Sequence, residues 1–434
     1  MRISPGLSSI LRNFGFLLGS QMLTTLIGCG YAILLARLLG PDLYGTLTYG
    51  YSWYLTFITL TYLGLDMVLA REVGRDPARA PSLAGSTLAL RAAIATLVAI
   101  LSAVAGCVFE PNQTARPLIL VLSGALLGRA IWLWCSSAFV AFEVTRRQLP
   151  IDLFFRPLEF VIVMLTLWFL APQNILAIGI IHATLWWMQA AVGVFIVARK
   201  VTRIDFTGLS AKALRLIGTG VPGAIYTMTV TWFLQAPIVL FRQIAGVGDT
   251  LGHFALSMQI TGYLLTIPYL VGSVALPVLS RSAVRDDGKT RSAARAMLVA
   301  IPAVGAALSL LGTWLAPSLT SLVFGLEYLQ AGRILGEAIW LLIPISLAIG
   351  LQQVLFSCRA NLGLASIFSI VGIVAMVALY APLARAFSYH GALLATGIGM
   401  SIWAGGIALA LVTAGILSRP PRDSLAGVAQ GNLP

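Results

Sequence analysis

The stretch FGFLLGSQMLTTLIGCGYAILLARLL, residues 14–39, contains a single charged side chain, Arg37. A helix rises about 1.5 Å per residue, so a stretch of this length exceeds the roughly 30 Å thickness of the hydrocarbon layer of a bilayer. The apolar part of a secretory signal peptide is much shorter, and we therefore expect the N-terminus to be retained. Residues 14–39 indicate a membrane-spanning helix.

The whole chain has the composition of a membrane protein. Of its 434 residues 59% are apolar and 10% are charged, and the mean hydropathy is +0.92, whereas soluble domains carry about 25% charged residues. The net charge of +13 does not indicate nucleic-acid binding, because the basic residues are spread between apolar runs. The four cysteines and three histidines lack the spacing of a metal site. We expect no metal and no cofactor, and we expect each histidine, His182 included, to be structural.

Twelve apolar segments are long enough to cross a bilayer. They cover residues 14–39, 44–70, 84–109, 117–142, 149–170, 175–198, 216–241, 252–279, 296–316, 334–358, 364–386 and 391–417. The longest polar connection, residues 199–215, separates six spans from six. The sequence therefore predicts an all-α polytopic membrane protein with an N-terminal six-helix bundle (1–205), a C-terminal six-helix bundle (206–418) and a disordered cytoplasmic tail (419–434).

The basic residues predict the orientation of the spans, because cytoplasmic loops and helix ends collect lysine and arginine. With the N-terminus inside, 21 of the 28 basic residues fall on the cytoplasmic side, five on the other side and two, Arg129 and Arg156, inside spans. We expect both termini in the cytoplasm and Asp42, Asn112 and Glu327 in the periplasm of a bacterial inner membrane.

Several motifs resemble a known family. ARLLGPDLYGT (36–46) with GLDMVLARE (64–72) is similar to the first helical hairpin of the polysaccharide-unit flippases, and LVFGLEYLQAGRIL (322–335) and SYHGALLATGI (388–398) occur at matching later spacings. These flippases share a superfamily with the multidrug and toxin extruders, the multidrug/oligosaccharidyl-lipid/polysaccharide transporters. The match covers essentially the whole chain in order.

The resemblance implies a fold and a function. The fold would be two six-helix bundles arranged as a V around a central lumen. The function would be to move lipid-linked oligosaccharides, carried on polyprenyl pyrophosphate, from the cytoplasmic to the periplasmic leaflet by alternating access. Such units build surface polysaccharides such as O-antigen, lipopolysaccharide and exopolysaccharide, so the implied partners are the lipid-linked substrate, membrane lipids and other polysaccharide assembly proteins. The chain departs from the family at residues 235–237, Gln-Ala-Pro, where members often carry an aspartate.

Charged residues inside the spans are the first candidates for the substrate lumen, because a charge in hydrocarbon costs at least about 2.5 kcal/mol. Asp152, Arg156 and Glu159 are spaced by four and three residues, which places them on one helical face. Arg129 on the preceding span lies at a similar depth to Glu159, so we expect the two to touch or to share one aqueous cavity. A structural pairing and a role in the lumen remain open.

Other residues are weaker candidates. Asp66 and Arg91 are expected to pair near the inner interface, and Arg37 is expected to reach phosphates or terminal carbonyls at the outer one. Pro237 and Pro268 are predicted gating bends, because proline interrupts the hydrogen-bond ladder of a helix. Tryptophans of the fourth to sixth spans are expected at the interface or facing lipid. Five glutamines could contact sugars or bond between helices: Gln189, Gln235, Gln259, Gln352 and Gln353.

Two other functions fit a chain of this class. A drug or cation antiporter of the same superfamily typically uses an acidic residue in the first bundle, but the first span has no acid and the buried charges include two arginines. A membrane-embedded polymerase or ligase needs an extended outer loop, which is lacking here, so we expect no enzyme activity. The chain has no nucleotide-binding loop, and the energy source is left open between an H⁺ or Na⁺ gradient, the membrane potential and product consumption.

Overall fold

The computed structural model describes residues 5–169, 174–206, 211–246, 248–272, 289–357 and 362–414. Within these ranges the chain forms α-helices and short 3₁₀ turns and no strand. The helices are α1 (Pro5–Ile58), α2 (Leu65–Arg75), α3 (Ala80–Phe109), α4 (Ala115–Ala141), α5 (Gln148–Phe169), α6 (Ile175–Lys200), α7 (Ala211–Ala245), α8 (Asp249–Leu264), α9 (Lys289–Phe324), α10 (Leu329–Ala338), α11 (Leu342–Ser357) and α12 (Leu362–Thr413).

Two of these helices contain a kink that separates two predicted spans. Gly40 interrupts α1 with φ 69° and ψ 172°, and Ser388 interrupts α12 with φ 54° and ψ −135°. Glycine adopts positive φ without steric cost, and the proline that follows Gly40 lacks the N–H that would continue the helix. The kinks fall between spans 14–39 and 44–70 and between spans 364–386 and 391–417, where the sequence predicts turns.

The second predicted span is interrupted, so the expectation of one helix over 44–70 is wrong. After α1 the chain makes a 3₁₀ turn at Thr59–Thr61, and Leu63 and Gly64 take positive φ before α2 begins. At the break the Tyr62 carbonyl accepts from the Leu65 N–H at 3.1 Å and also from Arg91 Nη1 at 3.1 Å. A buried guanidinium thus fills part of the gap in the helical ladder.

Eight described helical runs are long and apolar enough to cross a membrane, by length and composition. Two of them, Met22–Thr61 and Leu362–Thr413, each cover two predicted spans across a kink. Every other predicted span overlaps a described helix. The chain is a multi-pass membrane protein, and the count of twelve crossings stays a prediction.

One end of the helical assembly is closed by contacts between the predicted halves. We call it the kink end, because the α1 kink lies there with the ends of α7 and α9 and the start of α8. The Arg37 guanidinium donates to the carbonyls of Leu322 and Val323 at 2.9 and 2.7 Å, and the Tyr328 hydroxyl donates to the Ala36 carbonyl at 2.9 Å. Helix α1 also packs directly against α8.

The predicted division of the chain at residue 205 stays a prediction. The predicted tail, residues 419–434, lies outside the described residues.

Candidate functional site

A cavity of about 320 Å³ lies between α1, α4, α5 and α6, with α8 closing one wall. Its charged lining consists of Arg129, Arg156 and Glu159. Hydroxyl, amide and ring groups complete the polar wall: Thr24, Thr48, Tyr31, Tyr44, Tyr51, Tyr54, His182, Trp186, Gln259 and Tyr263. We call this space the charged cavity.

Glu159 is the centre of a hydrogen-bonded network on the cavity wall. Its side chain is 6% exposed, its Oε2 accepts from Arg156 Nη1 at 2.8 Å, and its Oε1 lies 2.5 Å from His182 Nδ1. A buried carboxylate with two charge-assisted partners is stabilised against the cost of leaving water. The predicted helical face is confirmed in part, since Arg156 and Glu159 form an ion pair three residues apart.

The proton on His182 can be placed from its neighbours. His182 Nε2 lies 2.9 Å from Trp186 Nε1 and 2.9 Å from the Tyr54 hydroxyl. An indole N–H only donates, so Nε2 must be an acceptor, and the imidazole is then neutral with its proton on Nδ1, donating to Glu159. His182 therefore orients the carboxylate of Glu159. The sequence does not predict this contact, because a single histidine in a span gives no indication of which residue it will bond.

Asp152 joins the network through an amide. Arg156 Nη2 donates to Gln189 Oε1 at 2.5 Å, and Gln189 Nε2 donates to Asp152 Oδ1 at 2.9 Å. Gln189 thus bonds between α5 and α6, which is one of its two expected roles. Asp152 does not line the charged cavity; it lies behind the arginine and holds it through the amide.

Arg129 and Glu159 line the same cavity, as predicted, although the ion pair of Glu159 is made with Arg156. Arg129 donates through Nη1 to the Tyr54 hydroxyl, while its buried Nε has no hydrogen-bond partner among the described residues. The guanidinium carbons of Arg129 and Arg156 lie 4.8 and 4.0 Å from the Trp186 ring centroid. Such stacking holds cations in place at a site poor in water.

The expectation for the tryptophans of these spans is wrong for three of them. Trp186 is 7% exposed and lines the charged cavity, and Trp132 and Trp134 are buried. Trp168 and Trp187 are 78% and 44% exposed, as a lipid-facing or interfacial position requires. The inward positions arise because α4 and α5 each pack on α6, which buries the rings that point between these helices.

The remaining charged candidates do not line the charged cavity. Asp66 and Arg91 form the predicted pair, with Arg91 Nη1 3.6 Å from Asp66 Oδ1, and the Ser137 hydroxyl donates to Asp66 at 2.6 Å. Arg37 binds the terminal carbonyls of α9, one of the two roles expected for it. These three side chains join helices in the described structure, and a substrate role for them stays a prediction.

The two predicted gating prolines differ. Pro237 lies within the unbroken helix α7, and its carbonyl accepts from the Tyr380 hydroxyl at 2.5 Å. Pro268 follows the end of α8: Leu265 keeps helical dihedral angles, φ −59° and ψ −23°, but forms a turn, and the helix resumes over residues 266–272. Proline cannot donate to the carbonyl four residues before it, here that of Leu264. A gating role for either stays a prediction.

A second cavity of about 470 Å³ adjoins the charged one and is almost wholly apolar. Aliphatic side chains from α1, α8, α9 and α10 line it. Ala32 and Tyr263 line both cavities. The Tyr263 hydroxyl accepts from Gln259 Nε2 at 3.1 Å and donates to the Gly28 carbonyl at 3.3 Å. We call this space the apolar cavity.

The sequence of residues 10–283 matches the model of the polysaccharide biosynthesis protein family. The chain belongs to that family. Among proteins of curated function, none matches the chain.

Solved structures of transporters share the fold of this family member. An inward-facing multidrug-resistance transporter of the MATE family has a TM-score of 0.71 at 15% identity, over 91% of this chain and 95% of its own. The lipid II flippase MurJ in an inward closed conformation has a TM-score of 0.70 at 13% identity, over 95% of this chain and 89% of its own. A superfamily transporter from Pyrococcus furiosus, described as having a binding pocket of reverse polarity, has a TM-score of 0.67 at 15% identity, over 95% of this chain and 96% of its own. The predicted all-α membrane fold and the predicted resemblance to the polysaccharide family are confirmed, and the chain shares the fold of these transporters.

Proposed function

We propose that the protein translocates lipid-linked oligosaccharides, whose carrier is a polyprenyl pyrophosphate, from the cytoplasmic to the periplasmic leaflet. One observation supports this most directly: a cavity that contains two arginines adjoins an apolar cavity, and the two share Ala32 and Tyr263. A molecule with an anionic head and a hydrocarbon tail matches that pair of environments.

The arginines suit a diphosphate chemically. A guanidinium offers several donors in a planar fork that fits phosphate oxygens, and it stays charged in a poorly hydrated site. Arg129 has a spare buried donor at Nε, and Arg156 is oriented by Glu159 and Gln189. Tyrosine and threonine hydroxyls along α1 add donors and acceptors for sugar hydroxyls. The hydrocarbon chain would lie against the aliphatic wall of the apolar cavity.

Translocation then follows from opening one end while the other closes. In the described state the kink end, which the basic residues place on the periplasmic side, is closed by contacts between α1 and α8 and between α1 and α9. The head group would enter from the cytoplasmic side, and opening of the kink end would release it. Other polysaccharide assembly proteins would then receive the unit in the periplasmic leaflet of the inner membrane.

A drug antiporter is the alternative that the MATE-like fold raises, but likeness of fold at 15% identity does not identify a substrate. The charge of the cavity favours an anion, because Arg129 and Arg156 face a single lining carboxylate. Cationic dyes therefore serve as the competing substrate in the test below.

The test is reconstitution of the full chain in vesicles with a fluorescent lipid-linked oligosaccharide and measurement of head-group translocation. We expect Arg129→Gln and Arg156→Gln to reduce translocation at least tenfold at normal abundance, about 1.4 kcal/mol of lost stabilisation. Arg333→Gln, the same change at an exposed position, should leave translocation unchanged. Wild-type transport of cationic dyes without lipid-linked sugar, or normal translocation in the double glutamine variant, would refute the proposal. A parallel loss of abundance and activity in both variants would indicate a structural role for the arginines.

A further inference from the structure

Glu159 is the only carboxylate among the described residues that line the charged cavity. Its two oxygens serve different partners: Oε1 accepts from neutral His182, and Oε2 accepts from the Arg156 cation. Arg156 lines the charged cavity and holds the carboxylate through Nη1. An anionic ligand that binds this guanidinium would compete with Glu159 for it.

The groups around the Glu159 and His182 pair balance in charge when the cavity is empty of anion. In the lining, Arg129 and Arg156 face the single carboxylate of Glu159. Asp152, which lies behind Arg156 and outside the lining, brings the whole network to two cations and two anions, with a neutral imidazole. The titratable and charged groups come from four helices: Tyr31, Tyr51 and Tyr54 of α1, Arg129 of α4, Asp152 and Arg156 of α5, and His182 of α6. A diphosphate that enters the cavity adds about two negative charges to this neutral set of groups. Uptake of a compensating positive charge is then favoured.

We propose that a diphosphate head group, on engaging Arg156, frees Oε2 of Glu159, and that this oxygen then takes up one proton, so that anion and proton bind together. The inference rests on the proposed function and extends it to a proton site. A water molecule gives up the proton, so one O–H bond of water breaks and hydroxide is left in the medium, while a new O–H bond forms at Oε2 and the carboxylate becomes a neutral carboxyl group. No other covalent bond changes.

The geometry favours Glu159 over His182 as the place for that proton. Without Arg156, a carboxylate whose side chain is 6% exposed would lose its hydrogen-bonded counter-charge, and a poorly compensated buried charge is neutralised readily. His182 is blocked, because a proton on Nε2 would face the Trp186 N–H at 2.9 Å. Oε1 keeps its bond from His182 Nδ1 in both states, so the site changes at one oxygen only.

Thermodynamic linkage between the proton and the anion fixes the direction in which the anion affinity changes with pH. If the anion promotes protonation, a lower pH must tighten anion binding by the same coupling. The proton would then travel with the substrate. An exchanger, in which proton and substrate compete for one site, would show the opposite dependence.

The test is binding of farnesyl-diphosphate-linked N-acetylglucosamine to the full chain in lipid nanodiscs by calorimetry between pH 5.5 and 8.5. Both phosphates of this probe are esterified, so it lacks the ionisation near pH 6 of a phosphate monoester. We expect the wild-type affinity to rise as pH falls, by up to about tenfold per pH unit when one proton is taken up per ligand. Glu159→Gln should bind tightly with little dependence on pH. Glu327→Gln, the same change at an exposed site, should follow the wild type.

A second measurement uses the wild type alone and is independent of how a variant folds. In weakly buffered solution near the midpoint of the affinity change, adding the probe should make the medium more alkaline by up to one proton per ligand bound. Binding without pH dependence, or release of protons on binding, would overturn the inference and leave the proposed function intact. Failure of the wild type to bind the probe at any pH would refute both the inference and the proposed function.

Discussion

Gly252 offers a direct way to disturb the closed kink end. A Cβ added at this position would lie 1.9 Å from the carbonyl oxygen of Pro41, whereas ordinary contact begins near 3.4 Å. The deficit, 3.4 minus 1.9, is 1.5 Å, and the obstructing atom belongs to the backbone at the α1 kink, so no side chain can swing aside. Gly252→Ala should therefore force α1 and α8 apart.

The size of the effect follows from the cost of overpacking. Extra atoms in a well-packed contact cost about 1–3 kcal/mol, and a difference of that size between two conformations shifts their ratio about 5- to 150-fold. Gly262→Ala is the matched control, because it lies in the same helix and gains the same helix propensity. Its added Cβ would meet only Leu234 Cδ1, at 3.8 Å. The difference between the two variants isolates the contact with Pro41.

The separation can be measured by double electron–electron resonance. Spin labels at Gln113 and Glu327, both exposed at the kink end and in different predicted halves, would be placed in a background without native cysteines. We expect Gly252→Ala to move population toward longer distances by several Å, while Gly262→Ala keeps the wild-type distribution. Identical distributions for all three proteins would refute the reasoning that this close approach holds the kink end shut.

Three further predictions follow from the same structure. Labelling of intact cells should modify cysteines introduced at positions 42, 112 and 327 but not at position 205, and labelling at 205 from outside would overturn the topology. Glu110→Gln should lower the melting temperature in detergent by a loss of about 3 kcal/mol, because it leaves the buried Arg242, 2.8 Å away, without its counter-charge. The partly exposed Glu72→Gln should cost at most about 1 kcal/mol, and equal melting temperatures for the two variants would contradict this. Pro268→Ala should restore the interrupted ladder and slow translocation at normal abundance, and unchanged translocation would exclude this bend from gating.

The positions of the helices were predictable because crossing a bilayer needs a minimum apolar length. The span predicted at 175–198 is found as Ile175–Lys200, and the span predicted at 117–142 as Ala115–Ala141. The ion pair of Arg156 with Glu159 was also predictable, because residues three apart meet on one helical face. The break before α2 was missed, because Leu63 and Gly64 lie inside a long, mostly apolar segment that contains no proline.

The amino-acid pattern predicts the membrane class, the limits of most helices and the two charges that share a face of α5. Only the packing of the helices shows that His182, Trp186 and Tyr54 converge on those charges. The physical reason is that these helices are apolar around most of their circumference, so the pattern along the chain does not tell which face turns inward. Rotation of each helix is set by packing against its neighbours, and only that packing brought α1, α4, α5 and α6 around one charged cavity.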